Sequence, residues 1–403
     1  AFGGVLIFAG LAYILYQPYA QWYAQGYTAV DIWQGSHTPL HAYFLHWGLF
    51  LFVILSWMIW ETIDWMATTP VSALQKLRPY REIIWISTVL LLLLTIAFGI
   101  NLPDVEGLPF GNGVNIAWLV LPVGAWAAVL LFRSGISDAK RFVLFLVGTS
   151  LFLTLMVEVI VLRGDIGRMN TVFKFYLQVW TFLAISAAAA LGWVLISLPK
   201  WATGFRNTWQ VLLVLLVSGT ALYPLIASRA KIEDRMTESA PKSLDGMTFM
   251  NYATYYDQWG EMDLSQDYRA IRWMQENVEG SPVIVEANLR NLYRWGSRFS
   301  IYTGLPGVVG WEWHQQQQRA ILPGNWITER IFEIDEFYLT TDLEQARHFL
   351  EKYDVQYIIL GQQERGHYPG PGLAKFDEHN GILWREVYRD IDTVIYEVNS
   401  SVQ

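Results

Sequence analysis

Residues 158–178 bring two carboxylates, Glu158 and Asp165, together with three cations, Arg163, Arg168 and Lys174, inside an otherwise apolar stretch. Arginine and lysine grip phosphate through charge-assisted hydrogen bonds, and a carboxylate beside them can orient a cation or take the proton of an attacking hydroxyl. Transfer of a group away from a phosphate needs both signs of charge at one place, and this segment supplies them. The same residues admit a structural reading, in which Glu158 and Lys174 pair to pin two neighbouring helices while Arg163 and Asp165 decorate the turn between them. Glu158 lies five residues before Arg163, and Lys174 lies four after Asn170. At about 1.5 Å rise per residue, both sit roughly 6–8 Å inside their helix ends. Asn170, Lys174 and Gln178 recur at i, i+4 and i+8, so they share one helical face, which is expected to look into the bundle because ionisable groups are costly in lipid.

A second group precedes it. The stretch Tyr16–His41 is aromatic, with Tyr16, Tyr19, Trp22, Tyr23, Tyr27 and Trp33, and it carries Asp31, His37 and His41. Aromatic faces of this kind either stack on sugar rings or form the belt found where helices leave the membrane. His37 and His41, four residues apart, present two imidazoles that a metal would accept with Asp31 as a third ligand, yet a histidine pair at a helix start is commonly structural. No metal ligand is therefore assigned. A divalent metal cofactor is compatible with the sequence, but no clear ligand set identifies one.

The third group lies towards the C-terminus. Glu286 ends an expected strand, and residues 293–319 follow with four glycines among Trp, Tyr, Arg and His. Loops at strand ends are where α/β domains bind ligands, although Trp-Gly runs also occur where a domain packs flat on a membrane or on another domain. The spacing matches no P-loop, no Gly-x-Gly-x-x-Gly fingerprint, no Gly-x-Ser-x-Gly elbow and no His-Glu-x-x-His helix.

The elements that must position these groups follow from composition. Of the 403 residues 53% are hydrophobic and only 16% charged, against about 25% charged in ordinary soluble proteins. Residues 1–226 hold 11 Lys/Arg against 9 Asp/Glu, whereas residues 227–403 hold 17 against 27, which implies two different solvents. The acidic balance argues against nucleic acid, which is bound by basic surface. Zero cysteines exclude disulfides, thiolate nucleophiles and Cys-based metal sites. The sequence starts at Ala1 inside an apolar run and reads as the C-terminal fragment of something longer.

Apolar stretches at about 2–17, 41–66, 83–100, 114–132, 142–162, 171–197 and 209–226 predict about seven membrane-spanning helices, the first truncated, each needing about 20 residues. The loops after the second, fourth and sixth hold eight cations, Lys76, Arg78, Arg81, Arg133, Lys140, Arg141, Lys200 and Arg206. The alternate loops hold Asp31, Asp104, Glu106 and Asp165 with only Arg163 and Arg168, so they face outward by the positive-inside rule, as do residues 227–403. In that last part Gln266–Val278 and Asp342–Tyr353 carry helical periodicity. Pro282–Ala287 and Gln356–Leu360 read as strands, and Ile382–Tyr388 with Thr393–Val398 as a closing hairpin. Alternating helices and strands favour a small α/β domain with some parallel sheet.

The stretch Arg168-Met-Asn-Thr-Val-Phe-Lys-Phe-Tyr-Leu-Gln178, preceded by Glu158 and Asp165, resembles the signature of the Chlor_Arch_YYY (triple-tyrosine) family of uncharacterised multi-spanning membrane proteins. Arg298–Trp311 with His314 and Arg319, and Lys352–Gly361, are similar to the same family's outer-domain motifs. That family is grouped with the C-type glycosyltransferases, which take a sugar from a polyprenyl-phosphate donor at the extracytoplasmic face and usually place a catalytic acid in the outer loop after their first span. The resemblance thus implies Arg168 and Lys174 as ligands of the lipid phosphate.

The expected architecture is an α-helical polytopic membrane bundle at 1–226, a connecting segment at 227–264 and an extracytoplasmic α/β domain at 265–403, in an integral protein of the cell membrane. The expected function is transfer of a sugar from polyprenyl phosphate to a glycan or protein acceptor, with the lipid bilayer as partner and no nucleic acid. Glu158, Asp165 and Asp31 are the catalytic candidates. Arg168, Asn170, Lys174, Gln178, Glu286, Arg298, Tyr302, Trp311, His314 and Arg319 are the substrate-binding ones. The alternative is a non-catalytic scaffold or a protein that handles the lipid carrier. A secondary transporter fits less well, since the apolar stretches show no internal repeat.

Overall fold

A computed structural model of the chain describes residues 2–22, 29–100, 113–163, 168–290, 294–320, 322–323 and 325–399. The chain forms two compact units, Tyr27–Arg229, and Ala230–Gln403 together with Ala1–Gly26. The first apolar stretch is helix α1 (Phe2–Trp22).

The unit Tyr27–Arg229 opens with a short strand, β1 (Val30–Ile32), followed by helices α2 (Leu40–Thr68), α3 (Arg81–Gly99), α4 (Ala117–Phe132) and α5 (Asp138–Val159). Strand β2 (Ile160–Leu162), helix α6 (Met169–Ser197) and the start of α7 (Thr203–Arg235) complete it. Long runs of Leu, Ile, Val, Ala and aromatic residues adopt helix here because a helix satisfies its own backbone groups without water. Five segments, Leu40–Thr68, Val71–Gly99, Asp138–Val159, Met169–Lys200 and Thr203–Arg235, are long and apolar enough to cross a membrane. Two shorter apolar helices, Gly3–Tyr19 and Ala117–Phe132, fall below that length. The 16 residues of α4 extend about 24 Å, short of a hydrocarbon core of about 30 Å. The expected seven spans are thus seven apolar helices among the described residues, five of them of full spanning length.

Helix α5 packs between α4 and α6, α2 packs on α6, and α3 on α4. The buried core joins Trp47, Ile54, Trp57 and Met58 of α2 to Val120 and Leu130 of α4, Val147 and Leu151 of α5, and Leu183, Ala187, Ala190 and Val194 of α6. The small residues of α6 recur every three or four positions, which lets neighbouring backbones approach. Ile83, Trp85 and Leu92 of α3 and Val211, Leu215 and Leu222 of α7 face outward, a surface suited to acyl chains.

Charges stand at both ends of α5. At its first turn Lys140 Nζ donates to Glu61 Oε2 at 2.6 Å, and Arg133 Nη2 donates to Glu61 Oε1 at 2.6 Å. Glu61 is only 3% exposed, so one buried carboxylate of α2 serves two cations from the loop between α4 and α5 and the start of α5. Trp65 lies under the Arg133 guanidinium at 5.4 Å and Trp193 under Lys140 at 5.8 Å. Glu158 lies at the opposite end of the same helix, about 27 Å away at about 1.5 Å per residue.

In the unit containing Ala230–Gln403, the segment expected only as a connection forms a hairpin, β3 (Thr254–Asp257) with β4 (Gly260–Asp263). Helix α8 (Leu264–Asn277) follows, capped by Asp263, whose carboxylate accepts from Ser265 N at 2.9 Å. Then come β5 (Val283–Val285), α9 (Arg298–Thr303), α10 (Glu312–Gln318), α11 (Trp326–Leu339), α12 (Leu343–Tyr353), β6 (Val355–Leu360), α13 (Gln362–His367), α14 (Ala374–Glu378), β7 (Trp384–Arg389) and β8 (Val394–Val398). The sheet order is β5-β6-β8-β7, with β5 parallel to β6 and the other pairs antiparallel. Parallel pairing of β5 and β6 requires a crossover, and helices α9 to α12 supply it. Helix α9 ends at Gly304, whose φ of 76° is the left-handed turn that glycine adopts without strain.

Under this sheet lies a buried ionic cluster. Arg298, 1% exposed, donates from Nε to Asp267 at 2.8 Å and from Nη1 and Nη2 to Glu364 at 3.1 and 2.8 Å, and lies 3.7 Å from Glu286. Glu364 also accepts from the backbone N–H groups of Ala287 and Gly361, each at 2.8 Å. A Cβ at position 361 would come within 3.0 Å of Arg298 Nη2, so glycine there makes room for the guanidinium. Three carboxylates face one arginine. Burial raises the carboxyls of Asp267 and Glu286 above their ordinary values despite the arginine, whereas at Glu364 burial is outweighed by Arg298 and the two N–H groups.

Two measurements test these cores. Glu61→Gln leaves Arg133 and Lys140 without their shared counter-charge and should lower stability in mixed micelles by about 3 kcal/mol; a loss below about 1 kcal/mol would mean that solvent already screens them. For Asp267 the sign follows from its raised value. The native state holds a proton that the unfolded chain releases near 3.8, so this group's contribution falls as pH rises from there through the native value. Asp267→Asn keeps an acceptor for Trp295 and Arg298, so the variant should gain on the parent as pH rises above about 4. Urea unfolding read by hydrogen exchange of the α8 and β5 peptides, at constant pulse pH, checks this, and parallel profiles for both proteins would refute it.

Candidate functional site

The site is built where α5 stops. The sequence suggested helix to residue 162, but Ile160, Val161 and Leu162 turn extended and pair antiparallel with β1, placing Val30 opposite Leu162, Asp31 opposite Val161 and Ile32 opposite Ile160. β-Branched residues favour this conformation, and the ribbon is extended by Trp33 N to Val159 O at 2.8 Å and Arg163 N to Ala29 O at 2.9 Å. Thr171 Oγ1 at the start of α6 accepts from Leu162 N at 3.1 Å. The ribbon therefore links the residues before α2 to the turn between α5 and α6.

On the ribbon, Arg163 forks onto Asp31 with Nε to Oδ2 at 2.8 Å and Nη2 to Oδ1 at 2.6 Å. The side chains remain 65% and 43% exposed, so this is a surface pair that a competing anion can reach. The Arg163 fork holds the Asp31 carboxyl below its ordinary value.

Glu158, in the last turn of α5, is completely buried. Its Oε1 accepts from Thr38 Oγ1 at 2.6 Å and from Arg168 Nη2, and its Oε2 from Thr38 N at 3.0 Å, with His37 Nδ1 at 3.2 Å. Arg168 also donates from Nε to Val157 O at 2.8 Å, from Nη1 to Ser36 O at 3.0 Å and from Nη2 to Thr38 Oγ1 at 3.4 Å, with Trp33 5.8 Å below the guanidinium. Glu158 and Arg168 thus join α5, the start of α6 and the segment leading into α2. Beside them Tyr43 Oη meets Thr154 Oγ1 at 3.1 Å. Trp47 Nε1 and Tyr176 Oη are buried without a hydrogen-bond partner, their rings 5.2 Å apart, and Tyr176 lies within electrostatic reach of Glu158 and Arg168.

The face formed by Asn170, Lys174 and Gln178 is turned otherwise than expected. Lys174 and Gln178 are exposed and Asn170 is half-buried, whereas Thr171, Val179, Leu183, Ser186 and Ala187 form the buried stripe of α6. The stripe one residue on is smaller and more apolar, so it packs closer against α2 and α5. An inward Lys174 would also need a buried counter-charge, and Glu158 is already held by Arg168 rather than by Lys174. Asp165 lies outside the described residues.

In the other unit, Glu286 and Arg298 meet in the core. Glu286 caps α9, accepting from Phe299 N at 3.0 Å and from Ser300 N and Oγ, each at 2.9 Å. Tyr302 is half-buried beside Trp295, with ring centroids 6.1 Å apart. The rings of Trp311 and His314 lie 5.5 Å apart, tilted by 50°, and Arg319 is exposed at the end of α10. The loop thus divides into a buried half that shapes the core and a surface half that can meet a ligand.

Sequence reasoning passed over Thr38, Glu61 and Arg330. A hydroxyl residue just before a helix marks Thr38 as a local hydrogen-bonding residue by type. A lone carboxylate within an apolar run marks Glu61. Arg330 carries no local signal. Among the described residues no group of three or more His, Asp or Glu is placed to hold a metal ion.

A family model described as an uncharacterised membrane protein, DUF2298, matches residues 1–183, less than half of the chain. No curated protein matches. Among solved structures, the C-terminal globular domain of oligosaccharyltransferase from Archaeoglobus fulgidus aligns over its whole length with 34% of this chain, at 17% identity and a TM-score of 0.23, too low to establish a common fold. The chain is similar over its N-terminal part to a membrane protein family, and its five long apolar helices are of the length and composition that crosses a bilayer.

Proposed function

We propose that the chain is a glycosyltransferase-like membrane protein that handles a sugar carried on a polyprenyl phosphate, with the Glu158 end of the bundle on the extracytoplasmic side. The observation that carries this reading is the gathering of Asp31, Arg163, Glu158, Arg168 and the exposed Lys174 at one end of α5 and α6. The outward orientation is supported by the eight loop cations counted for the other side.

A phosphate borne on an isoprenoid arrives from the acyl side, so exposed cations at headgroup depth are the ones it meets. Lys174 reaches that level by extending along its own helix, and Arg163 meets it from the ribbon. Arg168, with its donors taken by Val157, Ser36, Thr38 and Glu158, is a positioning residue, and Glu158 is the group that holds it. Asp31 is then the carboxylate for the chemistry. When phosphate competes for the Arg163 fork, Asp31 is released to take the proton of an acceptor hydroxyl. The hydroxyl oxygen bonds to the anomeric carbon, the carbon–oxygen bond to phosphate breaks, and the phosphate leaves with the electron pair beside Arg163 and Lys174. Asp165 stays a second carboxylate candidate on the same turn. Asn170 and Gln178 flank Lys174 as hydrogen-bonding groups for the sugar or phosphate.

A second reading, a non-catalytic scaffold or carrier-handling protein, is favoured by the complete saturation of Glu158, which leaves that carboxylate no open position for substrate. The full chain in nanodiscs, titrated with a short polyprenyl phosphate, separates the two. On the catalytic reading Lys174→Gln and Arg163→Gln weaken binding about tenfold each, about 1.4 kcal/mol. Asp31→Asn, which removes the carboxylate that competes for Arg163, binds at least as tightly as the parent but loses transfer, and Glu158→Gln chiefly lowers stability. Unchanged binding in Lys174→Gln and Arg163→Gln leaves the scaffold reading standing.

A further inference from the structure

We infer that a recess between α10 and α11, in the unit containing Ala230–Gln403, binds a phosphate group between Arg319 and Arg330. The inference goes beyond the membrane site and does not depend on it. The recess has a volume of about 110 Å³, lined by Gln315, Arg319, Trp326, Arg330 and the Gly307–Val309 segment, a space for a small tetrahedral anion rather than a sugar ring.

Arg330 is held in place before any ligand arrives. Its guanidinium lies between the rings of Trp326 and Tyr353, at 4.1 and 4.9 Å, and Nη1 donates to Val308 O at 2.8 Å. Stacked arginines of this kind present a rigid fork, and here the Nε donor is buried with no hydrogen-bond partner. Arg319, at the end of α10, is oriented by its Nε bond to Gln315 Oε1 at 3.1 Å.

No carboxylate lines the recess. The nearby Glu333 is occupied, accepting from Lys352 Nζ at 2.6 and 2.8 Å and from Tyr353 Oη at 2.7 Å. Two guanidinium groups therefore converge on one small polar space without an anion between them. Burial, joined by the like charge of Arg319, holds the Arg330 guanidinium below its ordinary value. Like charges brought together destabilise one another, and a dianionic phosphate accepting from both guanidinium groups reverses that. A planar carboxylate brings a single charge and cannot balance both arginines.

The test is calorimetric titration of the full chain in nanodiscs with inorganic phosphate. One saturable site is expected in the parent. Arg319→Gln, a surface change that spares the fold, should weaken it about tenfold or more, and Arg330→Lys, which keeps the charge but loses the fork, should weaken it as well. Arg347→Gln on the exposed face of α12 should leave it unchanged. A second arm uses a short polyprenyl phosphate. If Arg319→Gln weakens this ligand too, the site takes the headgroup of a lipid, and if it weakens only inorganic phosphate, the site takes a soluble phosphate. Absence of saturable phosphate binding in the parent, or binding by Arg319→Gln equal to the parent, overturns the inference. Loss of phosphate binding in Lys174→Gln but not in Arg319→Gln would likewise overturn it, while leaving the membrane-site proposal intact.

Discussion

A charge on a helix of spanning length must be matched where it stands or lie close enough to an end to reach water, and both solutions are visible along α5. Lys140 at one end is answered by Glu61 of α2, and Glu158 at the other by Arg168 before α6. Their separation, about 27 Å along the helix, is close to the thickness of a hydrocarbon core of about 30 Å. Lys140 joins α5 to α2 through Glu61, and Glu158 joins α5 both to Arg168 before α6 and to Thr38 and His37 before α2, so the two matched sites fix the axial registration of α2, α5 and α6. Between them the helices carry apolar side chains and hydroxyls, such as Ser150, that bond to their own backbone. Everything proposed for the Glu158 end depends on this arrangement, because it holds the turn after α5 and the start of α6 at one depth.

Much of this was legible in the residues. The apolar runs marked the helices, since only helix satisfies the backbone of such a run in lipid. Asp342 was readable as a cap because its side chain suits the free N–H groups at a helix start, and it accepts from Glu344 N. The face of α6 was not readable. Spacing shows that Asn170, Lys174 and Gln178 lie on one side, but which side packs depends on the neighbouring helices. The partner of Glu158 was hidden for a related reason. Arg168 precedes the helix, so it belongs to no helical face, and only the fold of the turn returns it to Glu158.

The C-terminal unit shows a similar division. Its alternating helices and strands were legible from periodicity, but Glu286 and Arg298 looked like surface ligand groups because the first ends a strand and the second sits in the glycine-bearing stretch that follows. They are core residues. Arginine is one of the residues least often found fully buried, and only the approach of Asp267 and Glu364 from distant segments makes its burial tolerable. The hairpin of β3 and β4 was missed because its strands, Thr254–Asp257 and Gly260–Asp263, are short and polar.

The small ribbon of β1 and β2 limits how the bundle can move. Backbone bonds from Val30–Ile32 to Ile160–Leu162 tether the lead-in of α2 to the exit of α5. A piston-like slide of one helix past the other would shear those bonds and flip Asp31 to the opposite side of the ribbon, since neighbouring strand residues alternate in direction. Access for any guest molecule must then come from helices tilting apart or from side chains swinging, with the ribbon acting as a pivot.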